Sequence, residues 1–364
     1  MSAREAKMKA AVLKEPGDLR LEKVPRPECP PGGVLIETAA SAICNADVKM
    51  VDKGHKALDY PRILGHEVTG KILESQTEQF KRGDRVQIAP GIVCGECEFC
   101  QQGLTNNCEE IEILGFTRDG GFAEYLSIPA EGIKTGAVNS IPDNLSFSRA
   151  VFSEPLACCI NGLDLARMKQ GDSVLIIGAG PIGCLQAMLA ETCGAKKIIM
   201  ADKLDRRLEF VGSEKAALTK VDCLINTGRE SLRRAVMRET ADRGVDVIIL
   251  ACRQGAAAYP LPELLKFRGR ILLFSGLPAE DAALEVDGNL LHYGEKALIG
   301  AYGCTAEQNQ KALKLMAEGK IAVDRLITDE IPLEQISQGI KKARDKTGMK
   351  TIIQFENQKG EIVS

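Results

Sequence analysis

The apolar run Ser173-Val-Leu-Ile-Ile leads directly into Gly178-Ala-Gly180-Pro181-Ile182-Gly183 and then into a stretch of helical character. A buried strand, a G-x-G-x-x-G turn and a helix in that order admit few architectures, because each glycine answers a separate demand. Gly178 permits the tight turn, Gly180 lets the backbone approach a pyrophosphate at the helix N-terminus, and Gly183 allows close helix–strand packing. The next apolar run, KKIIMAD, ends at Asp202, about 20 residues further on. A carboxylate there can bind both ribose hydroxyls and repels a 2′-phosphate, which favours NAD over NADP; Arg206 and Arg207 soften that preference. The plain alternative is an acidic loop residue after an ordinary strand. The expected cofactor site is Gly178, Gly180, Pro181, Ile182, Gly183, Asp202 and Arg207.

Six buried-looking strands, at 173–177, 197–201, 221–226, 245–251, 269–275 and 296–302, are joined by crossovers long enough for helices. This alternation predicts an α/β fold with a doubly wound parallel sheet. The preceding residues, 7 to about 150, read differently: short strand-like runs such as KMKAAVLK, GVLIETAAS and DRVQIAP are separated by Pro and Gly, as in a small β-rich, partly closed barrel. Helices are expected at 305–318 and 333–343 and a last strand at 351–355, a tail that returns to the first domain. The predicted division is 1–152 with 297–364, and 153–296.

Between 91 and 110 stands Cys94-Gly-Glu-Cys97-Glu-Phe-Cys100, followed by Cys108. Four thiolates at this C-x2-C-x2-C-x7-C spacing can close a tetrahedral shell around Zn2+ without a long loop closure. Such a shell leaves no place for a substrate, so the expected role is structural. Four packing cysteines or an iron–sulfur cluster are the alternatives.

Other potential ligands are scattered: Cys44 in SAICNAD, His66 and Glu67 in LGHEVTG, and Glu154 in FSEPLACC. Cysteine, histidine and carboxylate with an open fourth position form a sensible catalytic zinc shell. Taken singly, each has a bland reading as a buried small hydrophobe, a hydrogen-bonded strand residue, a cap or an ion-pair partner.

Composition removes other classes. With 47 Lys and Arg against 50 Asp and Glu, and 4% aromatics, the chain lacks the positive field or stacking surface of a nucleic-acid or anionic-membrane binder. Its apolar stretches stop short of the roughly 20 residues that span a bilayer. No signal-peptide core interrupts the charges of MSAREAKMKAAVLKEPGD. Thirteen cysteines are then expected as thiols or metal ligands in a cytoplasmic protein.

In this order, the early cysteine, the GHE motif, the four-cysteine lobe, the Glu-Pro-Leu of FSEPLACC and GAGPIG resemble the zinc-containing medium-chain dehydrogenase/reductase family, in particular its sorbitol, iditol and threonine dehydrogenase-like branch. The resemblance implies a GroES-like catalytic domain and a Rossmann domain with the active site in the cleft, and a homodimer or homotetramer pairing through the last Rossmann strand. It also implies two zinc ions per chain, the catalytic one held by Cys44, His66 and Glu67 or Glu154, the structural one by Cys94, Cys97, Cys100 and Cys108. Where alcohol dehydrogenases of the family carry Ser or Thr two residues after the cysteine, as a proton relay, this chain has Ala46; near the position of a further relay histidine it has Lys49. Water, Glu67, Lys49 or His55 would have to substitute.

The resulting expectation is NAD-dependent hydride transfer from a secondary alcohol of a small polyol, cyclitol or sugar-like molecule, with a pocket drawn from 51–60, Phe116, the stretch after Ser275 and 300–305. Two other readings stand beside it. One is a relay-deficient relative that reduces an iminium or a conjugated double bond; the other is a non-catalytic nucleotide- or zinc-binding protein on an enzyme fold.

Overall fold

The computed structural model describes residues 6–213, 220–252, 259–277, 282–356 and 362–363. The chain divides into two compact units: Met1–Ala157 with Cys304–Glu318 and Leu326–Ser364, and Cys158–Gly303 with Gly319–Arg325.

The first unit is built on β-strands. Its larger sheet runs, in spatial order, Val138–Ser140, Arg85–Ile88, Glu67–Ser75, Val34–Ala42, Lys350–Gln354 and Ile327–Pro332, with Tyr125–Ile128 also pairing to Val34–Ala42. The central strand Val34–Ala42 is apolar on both faces, and period-two geometry shares its side chains between two cores. Val34 and Ile36 pack with Val68, Ile72, Val86 and Ile88 on one side. Leu35 packs with Leu13, Phe122 and Ile353 on the other. A smaller sheet, Asp18–Pro25, Lys7–Glu15 and Arg62–Ile63, lies on the same core.

Two antiparallel ladders fix what stands at one end of the larger sheet. Ala42 pairs with Glu67 on one side and with Ile352 on the other. The residues just beyond these pairs, Cys44, His66 and Lys350, therefore collect at a single sheet end. Gly65 makes the approach possible: its φ is +96°, and a Cβ there would meet the Phe122 ring at 2.6 Å.

The second unit holds a six-stranded, all-parallel sheet in the order Cys223–Asn226, Lys197–Asp202, Ser173–Ile177, Val245–Leu250, Leu265–Leu273 and Ala297–Gly300. In chain order this is 3-2-1-4-5-6, the doubly wound arrangement that the alternating sequence implied. The fifth strand begins at Leu265 where the sequence placed its start at 269. Lys266 and Arg268 hid that start, and an irregularity between Val245 and Val247 with Arg268 at φ +61° accommodates them. The domain edges also differ from those read from sequence. The unit boundary falls inside the helix Ser153–Leu165, and Ala297–Gly300 stays in this unit because it completes the parallel sheet.

Candidate functional site

Cys44 is the N-terminal cap residue of the helix Asn45–Lys53, and His66 immediately precedes the strand Glu67–Ser75. One ligand atom each from Cys44, His66 and Glu67 lies within 4.8 Å of the others. Asp47, fully buried one turn along the helix, joins the group from below: its Oδ2 accepts the Cys44 backbone N–H at 2.8 Å, and its Oδ1 lies 3.5 Å from His66 Nδ1. A carboxylate on one ring nitrogen fixes the imidazole and leaves the other nitrogen to face a cation. Burial works against a charge on His66, but Asp47 and the Cys44 sulfur outweigh it and hold its pKa well above 6.5.

On the other side, Lys350 Nζ donates to Glu67 Oε1 at 2.5 Å, and both residues are buried. Burial disfavours the ammonium, yet Glu67, Cys44 and Glu154 together raise its pKa. Asp47 Oδ1 and His66 Nδ1 are turned to each other, whereas Glu67 Oε2 is buried without a hydrogen-bond partner among the described residues. An orphaned carboxylate oxygen beside a thiol and an imidazole is part of the donor set that a divalent zinc ion satisfies, so the residues present fit such an ion.

Glu154, in the first turn of Ser153–Leu165, stands apart from that trio. It has Cys304 within 4.8 Å and faces Glu67 and Lys350 electrostatically. Ala46 sits two residues past Cys44 on the helix and presents only a methyl group. Asp47 and Lys350 were not singled out from sequence. Asp47 lies within CNAD and carried a local signal, whereas Lys350 reaches Glu67 across 283 positions, and only the sheet register brings it there.

The four-cysteine lobe is closed by the pairing of Gly91–Ile92 with Glu112–Ile113. Its four sulfurs lie within 4.8 Å of one another, and all four cysteines are free of disulfides. Cys94 Sγ is 3.5 Å from Cys108 Sγ and 3.9 Å from Cys100 Sγ. Those separations are too long for a disulfide and close to the roughly 3.8 Å edge of a tetrahedron with Zn–S bonds of about 2.3 Å. Backbone N–H groups of Cys94 and Cys97 donate to the sulfurs of Cys108 and Cys94, each at 3.4 Å. The amides of Cys100 and Glu109 bring the Cys97 thiol down to about 7, which favours the thiolate.

In the second unit, Gly178 has φ +115°, and a Cβ on Gly183 would fall 1.8 Å from the Gly178 carbonyl oxygen. Gly180 caps the helix Pro181–Thr192, and a Cβ there would meet nothing within 4 Å. That clear space before free helix N–H groups fits a phosphate group. Asp202 ends the adjoining strand. Its Oδ2 accepts the Ala179 N–H at 2.8 Å and its Oδ1 the Leu204 N–H at 2.9 Å, so it braces the glycine turn and keeps further lone pairs for a ligand. Arg207 is buried beside it: burial lowers the guanidinium's pKa, and Asp202 offsets part of that cost.

With this geometry in place, comparison with known proteins is specific. Residues 30–138 match the family described as alcohol dehydrogenase GroES-like domain, and residues 181–318 the family described as zinc-binding dehydrogenase. The chain is 31% identical over 359 residues to a sorbitol dehydrogenase of Bacillus subtilis (strain 168), covering 96% of this chain and 95% of that protein. It is 31% identical over 355 residues to a D-altritol 5-dehydrogenase of Agrobacterium fabrum, covering 96% and 99%. The structure of a zinc-binding dehydrogenase from Sinorhizobium meliloti 1021 bound to NADP superposes with a TM-score of 0.86 at 27% identity, covering 96% of this chain and all of that one. The chain therefore belongs to the zinc-containing medium-chain dehydrogenase/reductase family, in its sorbitol and threonine dehydrogenase-like branch.

Proposed function

We propose that this protein is an NAD-dependent dehydrogenase that takes hydride from a secondary alcohol of a polyol, cyclitol or sugar-like substrate, or returns it to the corresponding ketone. The observation that carries this reading is the cluster of Cys44, His66 and Glu67, in which Glu67 Oε2 is buried and unsatisfied among the described residues. Family membership supports oxidoreduction at CH–OH, and the polyol class is supported by relatives that act on sorbitol and altritol.

In this reading Cys44, His66 and Glu67 hold the catalytic zinc, and Cys94, Cys97, Cys100 and Cys108 hold a second, structural one. Zinc supplies Lewis acidity that lowers the pKa of the substrate hydroxyl by several units. The chain's own groups do the rest. Asp47 orients the His66 ring; burial pushes the Glu67 carboxyl up, Lys350 offsets part of that and holds the side chain in place, and Glu154 adds negative charge near the pair. The glycine turn and helix Pro181–Thr192 take the cofactor pyrophosphate, and Asp202 takes the adenosine ribose in preference to a 2′-phosphate. The alcohol gives up a hydride to the nicotinamide and a proton to solvent. Ala46 offers no hydroxyl for that proton, and this one observation keeps a second reading, reduction of an iminium or conjugated double bond.

The parallel sheet ends in Ala297–Gly300, beside which Leu298, Tyr302 and Tyr293 are exposed. An uncovered apolar strand edge supports a homodimer or homotetramer built through it. Thirteen cysteines without a disulfide suit a reducing cytoplasm. No described helix is long and apolar enough to cross a membrane.

The test is nicotinamide absorbance with zinc-replete protein, NAD or NADP, and a panel of polyols, cyclitols and secondary alcohols. Turnover with NAD is the expected result. Silence across the alcohols, with consumption of reduced cofactor by an unsaturated acceptor, would favour the second reading.

A further inference from the structure

Lys49, Lys53, Gly54, His55, Lys56 and Tyr60 line a concavity of about 490 Å³ in the first unit. Its charge is one-sided. Three lysines face it together with an imidazole and a phenol, and no carboxylate lines it. Among the described residues none of the three lysines is in an ion pair. Of the two acidic side chains of the same helix, Asp52 is taken up by the guanidinium of Arg344 and Asp47 is buried against Cys44 and His66.

Like charges around a recess repel one another and focus a positive potential into it, and an anion relieves both effects. That this happens in a chain of net charge −3 makes the patch local rather than a property of the surface at large. The neutral groups suit an anion as well. His55 Nδ1 accepts the Ala57 N–H at 3.2 Å, which leaves Nε2–H as a donor. Burial, then Lys49 and Lys56, lower the His55 pKa from 6.5, so the ring is a neutral donor near pH 7. Gly54, at φ +70°, lets the Tyr60 hydroxyl lie over the loop, where a Cβ would stand 2.6 Å from it.

The recess is next to the chemistry. His55 packs edge-on against Phe116 with ring centroids 5.5 Å apart, and Phe116 in turn meets His66 at 5.6 Å. One aromatic ring, Phe116, separates the imidazole of the recess from the imidazole of the candidate metal cluster, so the two lie within the length of a six-carbon chain.

We propose that this recess binds the anionic end of the substrate, so that the alcohol oxidised belongs to a sugar acid or a sugar phosphate and not to a neutral polyol. The inference rests on the dehydrogenase reading above and narrows its substrate class. A carboxylate and a phosphate share the chemistry that the lysines recognise, and the experiment separates them.

Matched stereoisomeric sets of hexitols, hexonates and hexitol phosphates are compared in NAD reduction by the zinc-replete enzyme at about 20 and about 300 mM NaCl. Calorimetry follows binding of the same compounds to the NAD-loaded protein. The best anionic compound should exceed the best hexitol at least about tenfold in kcat/KM, and its KM should rise severalfold with salt. K53Q and K56Q should each raise that KM about fivefold with kcat little changed, while the KM of a hexitol moves less than about twofold. Whether the hexonates or the phosphates lead identifies the anion. Hexitols turned over as well as every anion, or a KM indifferent to salt and to both variants, would overturn the proposal and leave the dehydrogenase reading standing. Anion binding that K53Q and K56Q abolish, without turnover of any compound, would sustain the recess and sink the dehydrogenase reading. Absence of both binding and turnover would sink both.

Discussion

Lys350 Nζ and Glu67 Oε1 meet at 2.5 Å in a buried ion pair that joins the last strand of the larger sheet to the strand that follows His66. Neither partner has water to fall back on. Substituting Lys350→Met leaves Glu67 as a buried carboxylate without its cation, a loss on the order of 3 kcal/mol in unfolding free energy. Urea denaturation should show that loss, and metal analysis should show weakened zinc retention. Lys350→Arg should restore part of both. An unchanged midpoint and full zinc content in Lys350→Met would mean that the pair does not position Glu67.

The four-sulfur lobe predicts a metal count. Wild-type protein should contain about two zinc ions per chain. Cys97→Ser combined with Cys100→Ser should contain about one, with a lower melting temperature, while Cys44→Ser should also lose one but melt closer to wild type. Emission spectrometry on dialysed protein provides the count. Two ions retained after loss of Cys97 and Cys100 would refute the assignment of the lobe.

Asp202 has a double task, and its replacement should show both. Asp202→Ser removes the acceptor of the Ala179 N–H and the carboxylate that discriminates against a 2′-phosphate. The ratio of kcat/KM for NADP over NAD should rise by about tenfold or more, and stability should fall by about 1 kcal/mol. A coenzyme ratio that does not move would assign Asp202 to the turn alone.

Asp246 predicts acid sensitivity in the second unit. Burial pushes its pKa up, but Lys266 and the Ser173 amide and hydroxyl prevail and take it from 3.8 to about 2. A carboxyl whose pKa is lower in the fold contributes stability that is fully present above its unfolded value, near 3.8, and is lost as pH falls toward about 2. Unfolding free energy measured from pH 5 to pH 2 should drop across that window, and Asp246→Asn should flatten the drop. Equal slopes for both proteins would contradict the assignment.

Much of this was legible in the chain because it is local. The glycine turn follows from steric demands within eleven residues, and the cysteine lobe from spacing within fifteen. The parallel sheet followed from six apolar runs, though the start of Leu265–Leu273 was masked by Lys266 and Arg268, charges that an irregular first turn tolerates. Long-range register was not legible. Nothing in KTGMKTIIQF announces that Lys350 will reach Glu67, because pairing of Ala42 with Ile352 depends on the whole intervening fold. Likewise Glu154 and Glu67 looked equivalent as ligands in sequence, and it is the pairing of Ala42 with Glu67 that carries Glu67 to the end of the sheet where Cys44 and His66 stand.

The central claim is that Cys44, His66 and Glu67 form a zinc-dependent hydride-transfer site, and one measurement addresses it directly. NADH formation from the best alcohol of the panel is followed with protein as purified, after removal of zinc by chelation, and after stoichiometric zinc is returned, with Cys44→Ser carried through the same steps. The account predicts that activity vanishes with the metal, returns with it in the wild type, and is absent from Cys44→Ser throughout while NAD binding persists. Undiminished turnover by the zinc-free protein or by Cys44→Ser would contradict it.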